Sequence, residues 1–166
     1  MTSTTGRKSS GFTLMELILV LLVISAVLAI SAPSLRGFFA SRQTSDAAMT
    51  MVALTKWAQS QAVARGSPVR LNIDGESGTY WLTVQEGGAF VELYTEMGRR
   101  FRLPEGAVVS VPSDASGGGP SLVHFDPTGR HDAATIEIRG LQGEVFGVSA
   151  PSATEPFRVI SPAEGP

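Results

Sequence analysis

The chain has 166 residues, room for one domain beyond a long N-terminal element, and its formal charge is −2. Cysteine is absent, which excludes a disulfide framework, a thiol nucleophile and a thiolate metal site. Two of the 13 basic residues, Arg7 and Lys8, stand at the N-terminus, and the remainder, with all 15 acidic residues, carries a formal −4 that argues against nucleic acid as a partner.

Residues 1–11 form a short polar leader ending at Gly11. From Phe12 the chain turns apolar, with one carboxylate, Glu16, at its start. Residues 17–35 are then uncharged, about 28 Å of helix against a hydrocarbon thickness of about 30 Å. Ser25, Ser31, Pro33 and Ser34 dilute the far end of this span. Arg7 and Lys8 predict a cytoplasmic N-terminus and an exported remainder. Glu16 is the anomaly, because an ionised side chain near mid-bilayer costs on the order of 3 kcal/mol and so marks a functional position. At the membrane edge the same carboxylate would reach the headgroups at modest cost.

The run Gly11-Phe12-Thr13-Leu14-Met15-Glu16, behind a basic leader and ahead of an apolar span, resembles the processing site of type IV pilins and pseudopilins. The resemblance implies a prepilin peptidase that cuts between Gly11 and Phe12 and methylates the new amino terminus. It also makes Glu16 the fifth mature residue, paired in the filament with the free N-terminal amine of a neighbouring subunit. Such pairing is the condition under which a buried carboxylate is tolerable. Ser9 and Ser10, instead of a basic residue, immediately precede Gly11. An ordinary secretory signal cut near Ala29 or Ala32 is the competing reading, and a glutamate in the apolar region argues against it.

Residues 12–65 read as one helix, with residues 12–35 the membrane half and 36–66 an amphipathic half. Pro33 removes one backbone hydrogen bond and predicts a kink. Leu35, Phe38 and Phe39, then Ala47, Met51, Leu54, Ala58 and Ala62, fall at helical spacing, and Trp57 joins that face. Residues 41–46 are polar and read as an exposed neck. Arg65 in the last turn, Gly66 and Pro68 end the helix.

From Pro68 the period becomes two. Strands are expected over 69–73, 80–84, 90–94, 99–103, 108–111, 122–125, 135–139, 144–148 and 157–160, with turns at Asp74-Gly75, Ser77-Gly78 and Gly87-Gly88. Residues 113–120 read as a flexible loop. The fold class is α+β: a long N-terminal helix on an antiparallel β domain of two sheets, residues 67–166.

Within the pseudopilins this order resembles the GspH/FimT group. The helix exit from Ala62 to Leu71 and the later Phe125-Asp126-Pro127-Thr128-Gly129-Arg130 carry that resemblance. It implies a structural minor pseudopilin of a type II secretion system, not an enzyme, in a bacterial inner membrane with its β domain in the periplasm. The implied partners are other pseudopilins, the prepilin peptidase and possible secreted substrates. The alternative is a FimT-like minor pilin that takes up DNA; the basic tail of that branch is absent from the end of this sequence.

Little else suggests chemistry. His124 with Asp126, and His131 with Asp132, are the histidine-containing acid–base pairs, grouped around one turn. Asp74, Glu76, Asp114 and Asp126 lack an EF-hand order, and no zinc spacing occurs, so neither metal nor cofactor is expected. Arg99, Arg100 and Arg102 form a small basic run, with Arg100 and Arg102 on one strand face.

Overall fold

A computed structural model describes residues 12–111 and 120–160, and for 30–37 the backbone alone. By its contacts the chain divides into one unit over Met1–Gly37 and another over Phe38–Pro166. Helix α1, Leu14–Arg65, contributes its first part to the former and the rest to the latter.

The described part of the first unit is helix from Leu14, and its described apolar side chains are unburied. Leu14 is 77% exposed and Leu28 63%, and every described residue from 12 to 29 is exposed. Among the described residues no helix is long and apolar enough to cross a membrane. The stretch expected to do so, 17–35, runs into 30–37, and the kink expected at Pro33 falls on those residues too; their side chains lie outside the description.

The second unit holds the core and two antiparallel sheets. Strands β1 (Val69–Asp74), β2 (Thr79–Glu86), β3 (Ala89–Glu92), β4 (Phe101–Arg102) and β6 (Ser121–Phe125) form one sheet, ordered β3-β2-β1-β6 with β4 also on β2. Strands β5 (Val108–Ser110), β7 (Ala134–Arg139), β8 (Val145–Ala150) and β9 (Arg158–Ile160) form the other, in that order. The strands expected over 90–94 and 99–103 are shorter than their alternation suggests. Both compete for the same edge of β2: β3 takes Thr83 to Glu86, and β4 takes Thr79 and Tyr80. Tyr94, between them, is 96% exposed.

Local chemistry sets the turns. Ser67 N–H donates to Ala62 O and Gly66 N–H to Val63 O, closing α1 with Gly66 in the left-handed region at φ 61°. Gly87 and Gly88 both have positive φ, as a two-residue hairpin with the strand's own twist requires. Residues 112–119, most of the expected loop, lie outside the described residues.

Met51, Leu54, Ala58 and Ala62 are fully buried and join Val69, Leu71, Leu82, Phe125, Ile136, Ile138 and Val148 in one core drawn from the helix and both sheets. Complete burial of a side chain such as Leu54 or Ile136 contributes about 1.5–3 kcal/mol. Trp57 packs half-buried against this core, whereas Phe38 and Phe39 are exposed. The neck at 41–46 is not wholly solvated: Thr44 is buried, because its hydroxyl reaches Glu144 in the turn between β7 and β8.

Candidate functional site

The N-terminal motif forms the start of α1. Thr13 Oγ1 accepts from Glu16 N–H at 3.2 Å, and Thr13 O accepts from Leu17 N–H. Thr13 is therefore the cap of the helix and Glu16 its third residue, the Thr-x-x-Glu spacing that suits a helix start. The capping was legible in that spacing, although the family motif alone does not express it. Phe12 is 80% exposed at the head of the helix, and Glu16 is exposed with no ion pair among the described residues. Gly11 lies outside the described residues.

The turn after β6 is built on Asp126. Its Oδ1 accepts from Thr128 N–H at 2.7 Å, Thr128 Oγ1–H at 2.5 Å and Arg130 N–H at 3.2 Å, and Gly129 takes φ 84°. The Thr128 hydroxyl, then the backbone donors and the Arg130 charge, hold the Asp126 carboxyl below its ordinary range. Gln59 Nε2–H donates to Gly129 O at 2.5 Å, tying this turn to α1. Asp74 is held low in the same way, first by the hydroxyl and backbone N–H of Ser77. Both carboxylates are thus engaged by their own turns.

The two histidines part company. His131 is buried, with Nδ1 on Asp132 O and Nε2 on Glu155 O, both at 2.9 Å, and its ring lies 4.8 Å from that of Phe157. It fastens the 151–156 turn to the end of β6. His124 instead lies on the other face of the five-stranded sheet, where its Nδ1 accepts from Arg70 Nε–H at 3.2 Å. Asp132 Oδ2 accepts from His124 N–H and is no acid–base partner of either ring. Arg100 and Arg102 are exposed on either side of Phe101, whose ring stacks on Tyr80 at 5.5 Å. Arg100 pairs with Glu92 and lies 4.1 Å over the Trp81 ring. Burial pushes the Tyr80 phenol up to about 12. These arrangements hold structure together and assemble no nucleophile, base and oxyanion donor.

A sequence profile described as the prokaryotic N-terminal methylation motif matches residues 6–32. A second, described as type II transport protein GspH, matches residues 47–159, most of the chain. The chain belongs to the GspH family. As a GspH-type protein with an N-terminal methylation motif, it is a minor pseudopilin of type II secretion, in a family of structural subunits.

Solved structures agree on the fold. The minor pseudopilin EpsH from the type 2 secretion system of Vibrio cholerae is similar in two structures. The first has TM-score 0.62 at 15% identity, covering 74% of this chain and 99% of that one. The second also has TM-score 0.62, at 14% identity, covering 75% and 98%. The type IV minor pilin FimU of Pseudomonas aeruginosa is similar with TM-score 0.52 at 16% identity, covering 78% of this chain and 96% of that one. A comparison with curated proteins by sequence finds no match. At these identities the likeness carries the pilin-like α+β fold.

Proposed function

We propose that this GspH-type subunit is cut between Gly11 and Phe12 by a prepilin peptidase, methylated on Phe12, and built into a periplasmic pseudopilus through α1. The observation that supports this most is the joint presence in one chain of the methylation motif on 6–32 and the GspH match on 47–159. The exposed apolar residues of 12–29 suit both storage in a bilayer and packing against neighbouring helices. Glu16, exposed in the first turn of α1, is the group that would meet the amine of a neighbouring subunit. The working arrangement is a single span with Arg7 and Lys8 on the cytoplasmic side and the β domain in the periplasm. Partners are other pseudopilins and the peptidase, with exported substrates as a further class. The protein acts by assembly and not by catalysis.

A pilus role is the second reading, and the FimU-like fold is compatible with it. The match to a type II transport family favours secretion. Mass spectrometry of the mature protein tests the proposal. A methylated Phe12 terminus is expected, with the leader retained when Gly11 is replaced by a bulky residue. A terminus at Ile30 or Pro33 would mark a secretory signal and sink it.

A further inference from the structure

Among the described residues no helix or second sheet packs on the face of the five-stranded sheet turned away from the core, yet it is not a plain solvated surface. In β1 and β2 the residues that alternate with Val69, Leu71, Tyr80 and Leu82 are Arg70, Asn72, Trp81 and Thr83. Asn72 Nδ2–H donates to Thr83 Oγ1 at 3.1 Å and both residues are buried, so the floor of this face is rigid and polar. Above it the Arg70 guanidinium lies 3.3 Å from the centre of the Phe90 ring and donates from Nε to His124. Because arginine only donates, His124 Nδ1 is the acceptor and the ring hydrogen sits on Nε2. Across the gap between β3 and β4, Arg100 covers Trp81 but is already neutralised by Glu92. Arg70 differs: no carboxylate pairs with it among the described residues.

A guanidinium clamped between an aromatic ring and an imidazole has already lost most of its rotamer freedom, and it keeps its two terminal nitrogens for a planar acceptor. Arginine among tryptophan and phenylalanine is also the composition of the energetic centre of protein interfaces. Arg102 adds a second exposed cation beside β2. We propose that this face is a docking surface for a protein partner that places an aspartate or glutamate carboxylate on the Arg70 fork and apolar side chains on Leu122 and on the parts of Trp81 and Phe90 that Arg100 and Arg70 leave open. Leu122, 38% exposed, extends the platform to the β6 edge. The inference rests on the geometry of this face and stands independently of the secretion role.

The probe is an extended peptide of alternating valine and glutamate, titrated into the full chain in neutral detergent and followed by NMR of side-chain N–H groups. Shifts confined to Arg70, Trp81 and their neighbours are expected, and Arg70→Gln should weaken binding about tenfold, as for loss of a charge-assisted pair. Arg158→Gln, which removes a cation from β9 of the other sheet, should leave binding unchanged. If Arg70→Gln does not fold, Arg70→Lys keeps the charge but not the planar fork and should still weaken binding; equal affinity there overturns the proposal. Equal loss with Arg158→Gln, equal binding of a valine–lysine peptide, or no shift at all would also overturn it. Tighter binding of oligothymidylate would assign the face to nucleic acid instead.

Discussion

Thr44 Oγ1 donates to Glu144 Oε1 at 2.9 Å, joining α1 to the turn between β7 and β8 across 100 residues of sequence. Ala40 O also lies 3.1 Å from that hydroxyl, but one hydrogen serves one strong bond, and the carboxylate is the better acceptor. The other carboxylate oxygen, Oε2, accepts from Gln142 N–H. Gly140 lies directly against the pair: a Cβ there would overlap both Glu144 Oε1 and Thr44 Oγ1.

Removing the hydroxyl should therefore weaken the hold of the helix on the second sheet. Thr44→Val is expected to cost about 1–2 kcal/mol, because it leaves a partly buried carboxylate short of a donor, while Thr44→Ser should cost less. Gly140→Ala should cost more than Thr44→Val, since it pushes both partners apart as well. Denaturant midpoints of the three variants check the order. An unshifted Thr44→Val would mean that water serves Glu144 equally well.

Acid should loosen the β6–β7 turn. The Asp126 carboxyl is held below its ordinary value of 3.8, so its contribution to stability is fully present above that value. It is lost as pH falls through the lowered value of the folded state. Asp74 acts in the same direction. Asp126→Ala should thus show a shallower loss of stability with acid than the parent below about pH 4. Thermal melts across that range are the check, and parallel acid limbs would remove Asp126 from the account.

Glu16→Gln separates processing from assembly. The amide is isosteric, so capping by Thr13 and cleavage after Gly11 should persist. Incorporation into filaments should fall, because a neutral amide leaves a neighbour's amine uncompensated in an apolar setting. Unchanged incorporation and secretion would place Glu16 at the membrane edge, with no pairing role.

Much of this protein was legible along the chain, because its signals are local. The change from a period near 3.6 to one of two at Pro68 separated helix from sheets. Gly66, Gly87 and Gly88 marked backbone that must adopt positive φ, and the structure places a helix end and a hairpin there. Ala47, Met51, Leu54, Ala58 and Ala62 were identified as one face and are all buried. The run from Gly11 to Glu16 behind its basic leader resembles the pilin and pseudopilin processing site, and the methylation-motif match on 6–32 falls on the same residues.

What tertiary structure decided depends on register between strands remote in sequence. Arg70 meets His124 because β1 and β6 pair with Arg70 opposite His124, and it meets Phe90 because β3 folds back on β2. Nothing near Arg70 in sequence announces either neighbour. His131 and His124, seven positions apart, end on different sides of the sheet, one buried and fastening the 151–156 turn and the other facing outward. Thr44, in a polar stretch, is buried only because a turn 100 residues away supplies its acceptor. Periodicity and turn chemistry act over a few residues and are written into composition, whereas the partner of a half-buried polar group is chosen by how the sheets close over the helix.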